Sequence, residues 1–140
     1  MRPLSTSLED YLEAIYSLRD ARASARAVDI SRRLGLSKPS VNAAVKALAA
    51  RGLLRQEPYG RIILSPRGLK AGEAVARKHD LLKDFFTEVL GLPAAEAEKD
   101  ACRAEHALSR GALRRLGALG AYLKAPVRRR LVAAALKEAA

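Results

Sequence analysis

Three side chains that bind metals lie close together in the second half of the chain. Cys102, Glu105 and His106 are spaced i, i+3 and i+4, so a helix would place a thiolate, a carboxylate and an imidazole on one face. Cys102 is the only cysteine and His106 is one of two histidines. Because nearly all the soft donors fall in one place, the pattern indicates a metal site.

Three further donors lie on other predicted helices. Asp10 and Glu13 share a face of the first helix, and His79 follows in a long helix. A set of imidazole, carboxylate and thiolate donors suits a first-row transition metal better than calcium or magnesium. Each residue also has a structural explanation: the two acids favour the helix dipole near an N-terminus, and Cys102 can serve as a small core residue.

The first half carries a winged helix-turn-helix pattern. Helices are predicted over 26–34, with Val28, Ile30 and Leu34 facing inward, and over 38–51, separated by the helix breaker Gly35 and the N-cap Ser37. Two strands, 53–57 and 61–65, then flank a Pro-Tyr-Gly turn and predict a hairpin wing. This half is therefore interpreted as a DNA-binding domain.

Several polar side chains are placed to meet a duplex. The second helix of the motif is expected to bury Val41, Val45 and Leu48 and to turn its other face outwards. Asn42 suits a base edge, the lysines suit phosphates, and two arginines flank the wing tip. The predicted DNA-binding residues are Ser37, Lys38, Pro39, Ser40, Asn42, Lys46, Arg55 and Arg61. A winged helix used for protein contacts is the alternative.

The overall composition agrees with a polyanionic partner. The 140 residues carry a formal net charge of +11, which favours nucleic acid. A single cysteine fits a reducing compartment, and the chain shows neither a signal peptide nor an apolar stretch long enough to span a bilayer. We expect a cytoplasmic protein without a membrane partner.

The second half is predicted to be entirely helical. Helices are expected over 66–90, 94–108, 110–124 and 127–139. The fold class is thus mainly α, with a winged helix-turn-helix DNA-binding domain over 1–70 and a helical dimerisation and metal-binding domain over 71–140. An apolar stripe predicts the dimer surface of a homodimer: Leu81, Leu82, Phe85, Phe86, Val89 and Leu90. Alternatively, the last two helices cover this stripe.

Four segments resemble one family: Glu9 to Tyr16, the helix-turn-helix around Ile30 to Leu48, Arg77-Lys78-His79, and Cys102 to Ser109. In these the chain is similar to the iron- and manganese-dependent repressors of the diphtheria toxin repressor and manganese transport regulator type. The resemblance implies a homodimer whose metal sites join the N-terminal helix to the dimerisation helices. It also implies that metal makes the dimer competent for a palindromic operator.

The resemblance assigns ligands position by position. Asp10, Glu13, His79, Glu105 and His106 match the manganese type, whereas Cys102 matches the iron type, which carries methionine at position 10. The site is therefore a hybrid, with Mn²⁺ or Fe²⁺ as the expected metal and Zn²⁺ as a further candidate. An ancillary iron-type site would use His79, Lys83 and Glu98, but the lysine is a cation. The chain resembles the short, two-domain form, and whether one or two ions bind stays open.

The function predicted from these patterns is metal-dependent transcriptional repression of metal-uptake or metal-homeostasis genes. A winged-helix regulator that senses an organic ligand is the main alternative. An enzyme is not expected, because no separate base or oxyanion donor accompanies the donor cluster. An architectural DNA-coating protein would explain the charge but not the clustered donors.

Overall fold

The computed structural model describes residues 2–140. The chain divides into two compact units after Ala76, within a long helix. Each unit has its own apolar core. The boundary at residue 70 expected from the sequence falls in the same helix and remains a prediction.

The N-terminal unit is a winged helix-turn-helix. Its elements are α1 (Thr6–Leu18), β1 (Ser24–Arg26), α2 (Ala27–Leu34), α3 (Lys38–Ala50), β2 (Leu54–Glu57) and β3 (Arg61–Leu64). The antiparallel sheet has the order β1-β3-β2. The sequence predicted β2 and β3 but missed β1, because three residues are too few to show an alternating pattern.

Local signals set the ends of these helices. The Ser5 and Ser37 hydroxyls accept backbone N–H groups at the starts of α1 and α3. Gly35 ends α2 in the left-handed conformation, with φ of 64°, which costs glycine little. These features confirm the predicted turn between α2 and α3.

The core of this unit lies between the three helices and the sheet. Ile30, Val41, Val45 and Leu48 are fully buried, as the apolar periodicity predicted. The prediction that Val28 also faces inward is wrong, because its side chain is 41% exposed. Residues two positions apart on a helix, such as Val28 and Ile30, point in directions about 200° apart. The short α2 therefore cannot turn both side chains towards the core.

The C-terminal unit is helical, and none of the described residues 77–140 forms a strand. It contains the last turns of α4 (Pro66–Asp84), a π-helical turn (Phe85–Val89), α5 (Ala94–Ala104), α6 (Arg110–Leu123) and α7 (Pro126–Glu138). The helix predicted over 94–108 ends earlier than expected, so Glu105 is its C-cap and His106 lies in the following turn. No helix in the described residues is long and apolar enough to cross a membrane.

Close packing of α6 changes the predicted dimer surface. Leu82 and Val89 are buried within the chain, so they are not available to a partner and this part of the prediction is wrong. Gly117 explains how α6 comes so near: a Cβ there would lie 2.9 Å from Leu81 Cδ1. Leu81, Phe85, Phe86 and Leu90 remain half-buried.

Candidate metal centre and nucleic-acid interface

Four of the predicted donors come together in the C-terminal unit. His79 of α4 lies with Nδ1 2.9 Å from Glu105 Oε2 and 3.7 Å from Cys102 Sγ. His106 lies with Nε2 3.1 Å from the other Glu105 oxygen, Oε1. The Glu105 carboxylate therefore lies between two imidazoles, with a thiol beside one of them.

The buried carboxylate of Glu105 is incompletely satisfied. Glu105 is 2% exposed, and within the described chain its Oε1 makes no hydrogen bond despite the nearby His106 ring. A buried carboxylate oxygen without a hydrogen bond is costly, and a bound cation would relieve that cost. The nitrogen, oxygen and sulfur donors around it fit a first-row transition metal.

Glu98 of α5 adds a second carboxylate to the cluster. Its Oε1 lies 3.0 Å from His79 Nε2, and its Oε2 lies 2.7 Å from Lys83 Nζ. The hydrogen bond from Lys83 is the main cause that lowers the pKa of Glu98, opposed by partial burial. His79, Glu98 and Cys102 also form a group whose ligand atoms lie within 4.8 Å of one another. Glu98 is therefore either a ligand or a support for His79.

Asp10 and Glu13 belong to the N-terminal unit. Both lie on α1 one turn apart and are partly buried. Their role as metal ligands remains a prediction from the sequence.

The predicted recognition residues of α3 line its solvent-facing side. Lys38, Pro39, Asn42 and Lys46 are all exposed. Ser37 and Ser40 are exposed as well, but their hydroxyls lie 2.9 Å apart and Ser37 caps the helix. Asn42 and Lys46 are thus better placed than Ser37 to contact a duplex.

The wing supplies two arginines with acidic neighbours. Arg55 lies 3.2 Å from Glu57, and Arg61 lies 3.8 Å from Asp20. Tyr59, at the tip, is fully exposed with φ of 67°. The sequence placed Tyr59 in the predicted Pro-Tyr-Gly turn, but Tyr59 was not among the predicted DNA-binding residues.

Comparisons with known proteins agree with both units. Residues 3–62 match the N-terminal DNA-binding domain of the iron dependent repressors, and residues 65–126 match their metal binding and dimerisation domain. The chain is 34% identical over 123 residues to the HTH-type transcriptional regulator MntR of Geobacillus kaustophilus, covering 88% of this chain and 86% of that one.

Two further matches extend the comparison. An HTH-type transcriptional regulator of Methanocaldococcus jannaschii is 34% identical over 114 residues, covering 81% of this chain and 91% of that one. The solved structure of a manganese-dependent transcriptional repressor in complex with manganese matches with a TM-score of 0.71 and 26% identity, covering 82% of this chain. The present chain spans 53%, about half, of the length of that structure.

A winged helix-turn-helix followed by a helical unit with a donor cluster is the architecture of the iron dependent repressors. The chain belongs to the iron dependent repressor family, the family of the diphtheria toxin repressor and of the HTH-type transcriptional regulator MntR. The resemblance read from the sequence is confirmed, and so is the fold class.

Proposed function

We propose that this protein is a metal-dependent repressor that binds operator DNA as a homodimer when Mn²⁺ or Fe²⁺ is present. The observation that carries the proposal is the buried Glu105 carboxylate, whose Oε1 makes no hydrogen bond beside His106. Metal-uptake or metal-homeostasis genes are the proposed targets, and a palindrome is the proposed operator.

The proposed ligands are His79, Cys102, Glu105 and His106, together with Asp10 and Glu13 of α1. The first four rest on the distances within the C-terminal unit. The two α1 residues rest on the family resemblance. Cys102 is a softer ligand than glutamate, so zinc is the expected competitor of the physiological ion.

Metal would act by favouring one arrangement of the dimer. Two recognition helices can read one DNA duplex when they are about 34 Å apart, which is the length of one turn of the DNA. An ion that binds this arrangement more tightly shifts the population towards it, and a tenfold gain in operator affinity needs about 1.4 kcal/mol of coupling. By reciprocity, operator DNA must strengthen metal binding by the same factor.

The experiment is a pull-down of genomic fragments from the source organism in chelator, Mn²⁺, Fe²⁺ or Zn²⁺. Anaerobic conditions are needed because the Cys102 thiol is exposed. Enrichment of a few palindromic fragments only with Mn²⁺ or Fe²⁺, and its loss in Glu105→Gln, is the expected result. Equal enrichment in chelator would contradict metal control and favour a regulator that senses an organic ligand.

A further inference from the structure

Lys83, Glu98 and His79 form a chain of polar contacts beside the candidate metal centre. Lys83 and His79 are one turn apart on α4, so both side chains reach the same part of α5. Lys83 Nζ lies 2.7 Å from Glu98 Oε2, and His79 Nε2 lies 3.0 Å from Glu98 Oε1. Each oxygen of the Glu98 carboxylate therefore has a different partner.

These contacts distinguish the two nitrogens of His79. Nε2 faces Glu98, whereas Nδ1 faces Glu105 and Cys102. An ionised carboxylate only accepts hydrogen bonds, so each ring nitrogen needs a hydrogen for its contact with a carboxylate. A cation bound by Glu105 and Cys102 would replace the hydrogen on Nδ1, whereas the contact with Glu98 would keep the hydrogen on Nε2. The His79 side chain is only 6% exposed, so little water is available to replace Glu98.

We propose that Lys83 and Glu98 are positioning residues that make Nδ1 of His79 the atom presented to a metal ion. Lys83 orients the Glu98 carboxylate, and this carboxylate accepts a hydrogen bond from the Nε2–H of His79. This inference rests on the metal binding in the proposed function. Metal-bound histidines commonly donate their second N–H to a carboxylate, which orients the ring and strengthens the ligand.

The charge of Lys83 argues against Glu98 as a ligand. Glu98 is near enough to His79 and Cys102 to complete a three-donor group. However, an ammonium 2.7 Å from its Oε2 would repel a divalent ion bound to the same carboxylate.

Replacing Lys83 tests whether Glu98 is a metal ligand or a positioning residue, because the two roles predict opposite changes in metal affinity. Loss of a positive charge alone would strengthen cation binding, whereas loss of positioning would weaken it. Lys83→Met is therefore expected to weaken Zn²⁺ and Mn²⁺ binding about tenfold, the lower end for lost outer-shell partners. Lys83→Arg should restore the affinity. Lys99→Met, an exposed site on α5 with the same charge change, should leave it unaltered.

Competition titration of the full-length variants measures these affinities, and metal analysis after dialysis gives the ions bound per chain. Circular dichroism in chelator checks that each variant is folded. Equal metal affinity in Lys83→Met would overturn the positioning role. Tighter binding or an extra ion per chain would also overturn it and would make Glu98 a ligand that Lys83 restrains.

Nitrogen NMR of the wild-type protein reports directly which ring nitrogen of His79 carries a hydrogen. The chain has two histidines, so ¹⁵N-histidine labelling yields two imidazole patterns, and His79→Gln assigns them. In the Zn²⁺-loaded protein, which is diamagnetic, we expect His79 to carry a proton on Nε2 and zinc on Nδ1. Zinc on Nε2 would refute the proposal.

The two proposals fail in different ways. Operator binding that ignores metal would refute the proposed function but not the assignment of Nδ1. Metal-dependent operator binding with unchanged metal affinity in Lys83→Met would refute only the positioning role.

Discussion

Oε2 of Glu105 lies 2.9 Å from Nδ1 of His79, although the two residues are 26 positions apart in the chain. The contact joins the C-terminal end of α5 to the C-terminal third of α4. Both side chains are buried. The same two residues therefore connect α4 with α5 and supply two of the proposed metal ligands.

Removing the Glu105 charge should abolish stabilisation by metal. An ion at 100 times its Kd stabilises the folded state by about 2.7 kcal/mol, seen as a melting temperature raised by several degrees. Glu105→Gln should lose this shift with Mn²⁺, whereas Glu96→Gln, an exposed acid on the same helix, should keep it. Differential scanning calorimetry with Mn²⁺ or chelator provides the measurement, and a full shift in Glu105→Gln would remove this residue from the ligand set.

Cys102 should control the choice of metal. Thiolate favours Zn²⁺ over Mn²⁺, and carboxylate favours the harder ion. Cys102→Glu is expected to lower the ratio of Zn²⁺ to Mn²⁺ affinity about tenfold, measured by competition titration under anaerobic conditions. An unchanged ratio would mean that the thiol, which lies 3.7 Å from His79 Nδ1, does not coordinate the ion.

Two residues of α3 should affect DNA binding in different ways. Asn42→Ala should weaken operator binding by about 1–3 kcal/mol and leave non-specific binding almost unchanged, because an amide reads base edges. Lys46→Ala should weaken both operator binding and non-specific binding, because a lysine contacts phosphate. It should also reduce the slope of log affinity against log salt concentration by about one. Fluorescence anisotropy at several salt concentrations distinguishes them, and identical behaviour of the two variants would contradict these roles.

Gly68 should be irreplaceable in the contact between α4 and the wing. A Cβ at this position would lie 1.8 Å from the Leu53 carbonyl oxygen, which already accepts the Ser65 N–H. Gly68→Ala should reduce the free energy of unfolding by about 3 kcal/mol or more, since backbone must move.

The matched control for Gly68 is Gly111 of α6, where the nearest atom to an added Cβ is 3.9 Å away. Gly111→Ala should be neutral or stabilise by up to about 1 kcal/mol. Urea denaturation in chelator measures both variants. Equal stability of the two would show that the start of α4 can shift away from Leu53 at little cost.

Asp20 should contribute a pH-dependent part of the stability. Its carboxylate accepts the backbone N–H groups of Ser24 and Arg22, and these hydrogen bonds, with Ser24 first, lower its pKa below the usual 3.8. A lowered folded-state pKa stabilises the protein above the unfolded value, and the effect is lost as the pH falls through the folded value.

Asp20→Asn tests this effect because asparagine keeps an acceptor oxygen but no charge. The wild-type protein should melt at a higher temperature than Asp20→Asn at neutral pH, and the difference should shrink as the pH falls below the usual carboxyl pKa of 3.8. Melting curves of both proteins across this range supply the comparison. A gap that does not change with pH would contradict the role of the charge.

Most local structure was predictable because it depends on neighbouring residues. Ser5, Ser37, Gly35 and Pro126 mark helix ends by their own backbone preferences. The apolar periodicity of α3 identified Val41, Val45 and Leu48 as core residues. Spacing alone could not show which of Val28 and Ile30 faces the core, or that α5 ends before Glu105.

The sequence by itself determined the class of the protein: a basic winged helix-turn-helix joined to a helical unit with transition-metal donors. Only the tertiary structure decided which side chains meet. The Glu105–His79 contact, the Lys83–Glu98–His79 contacts and the packing of Leu82 with α6 all join residues from different helices. Periodicity describes one helix at a time, whereas these contacts depend on how separate helices pack.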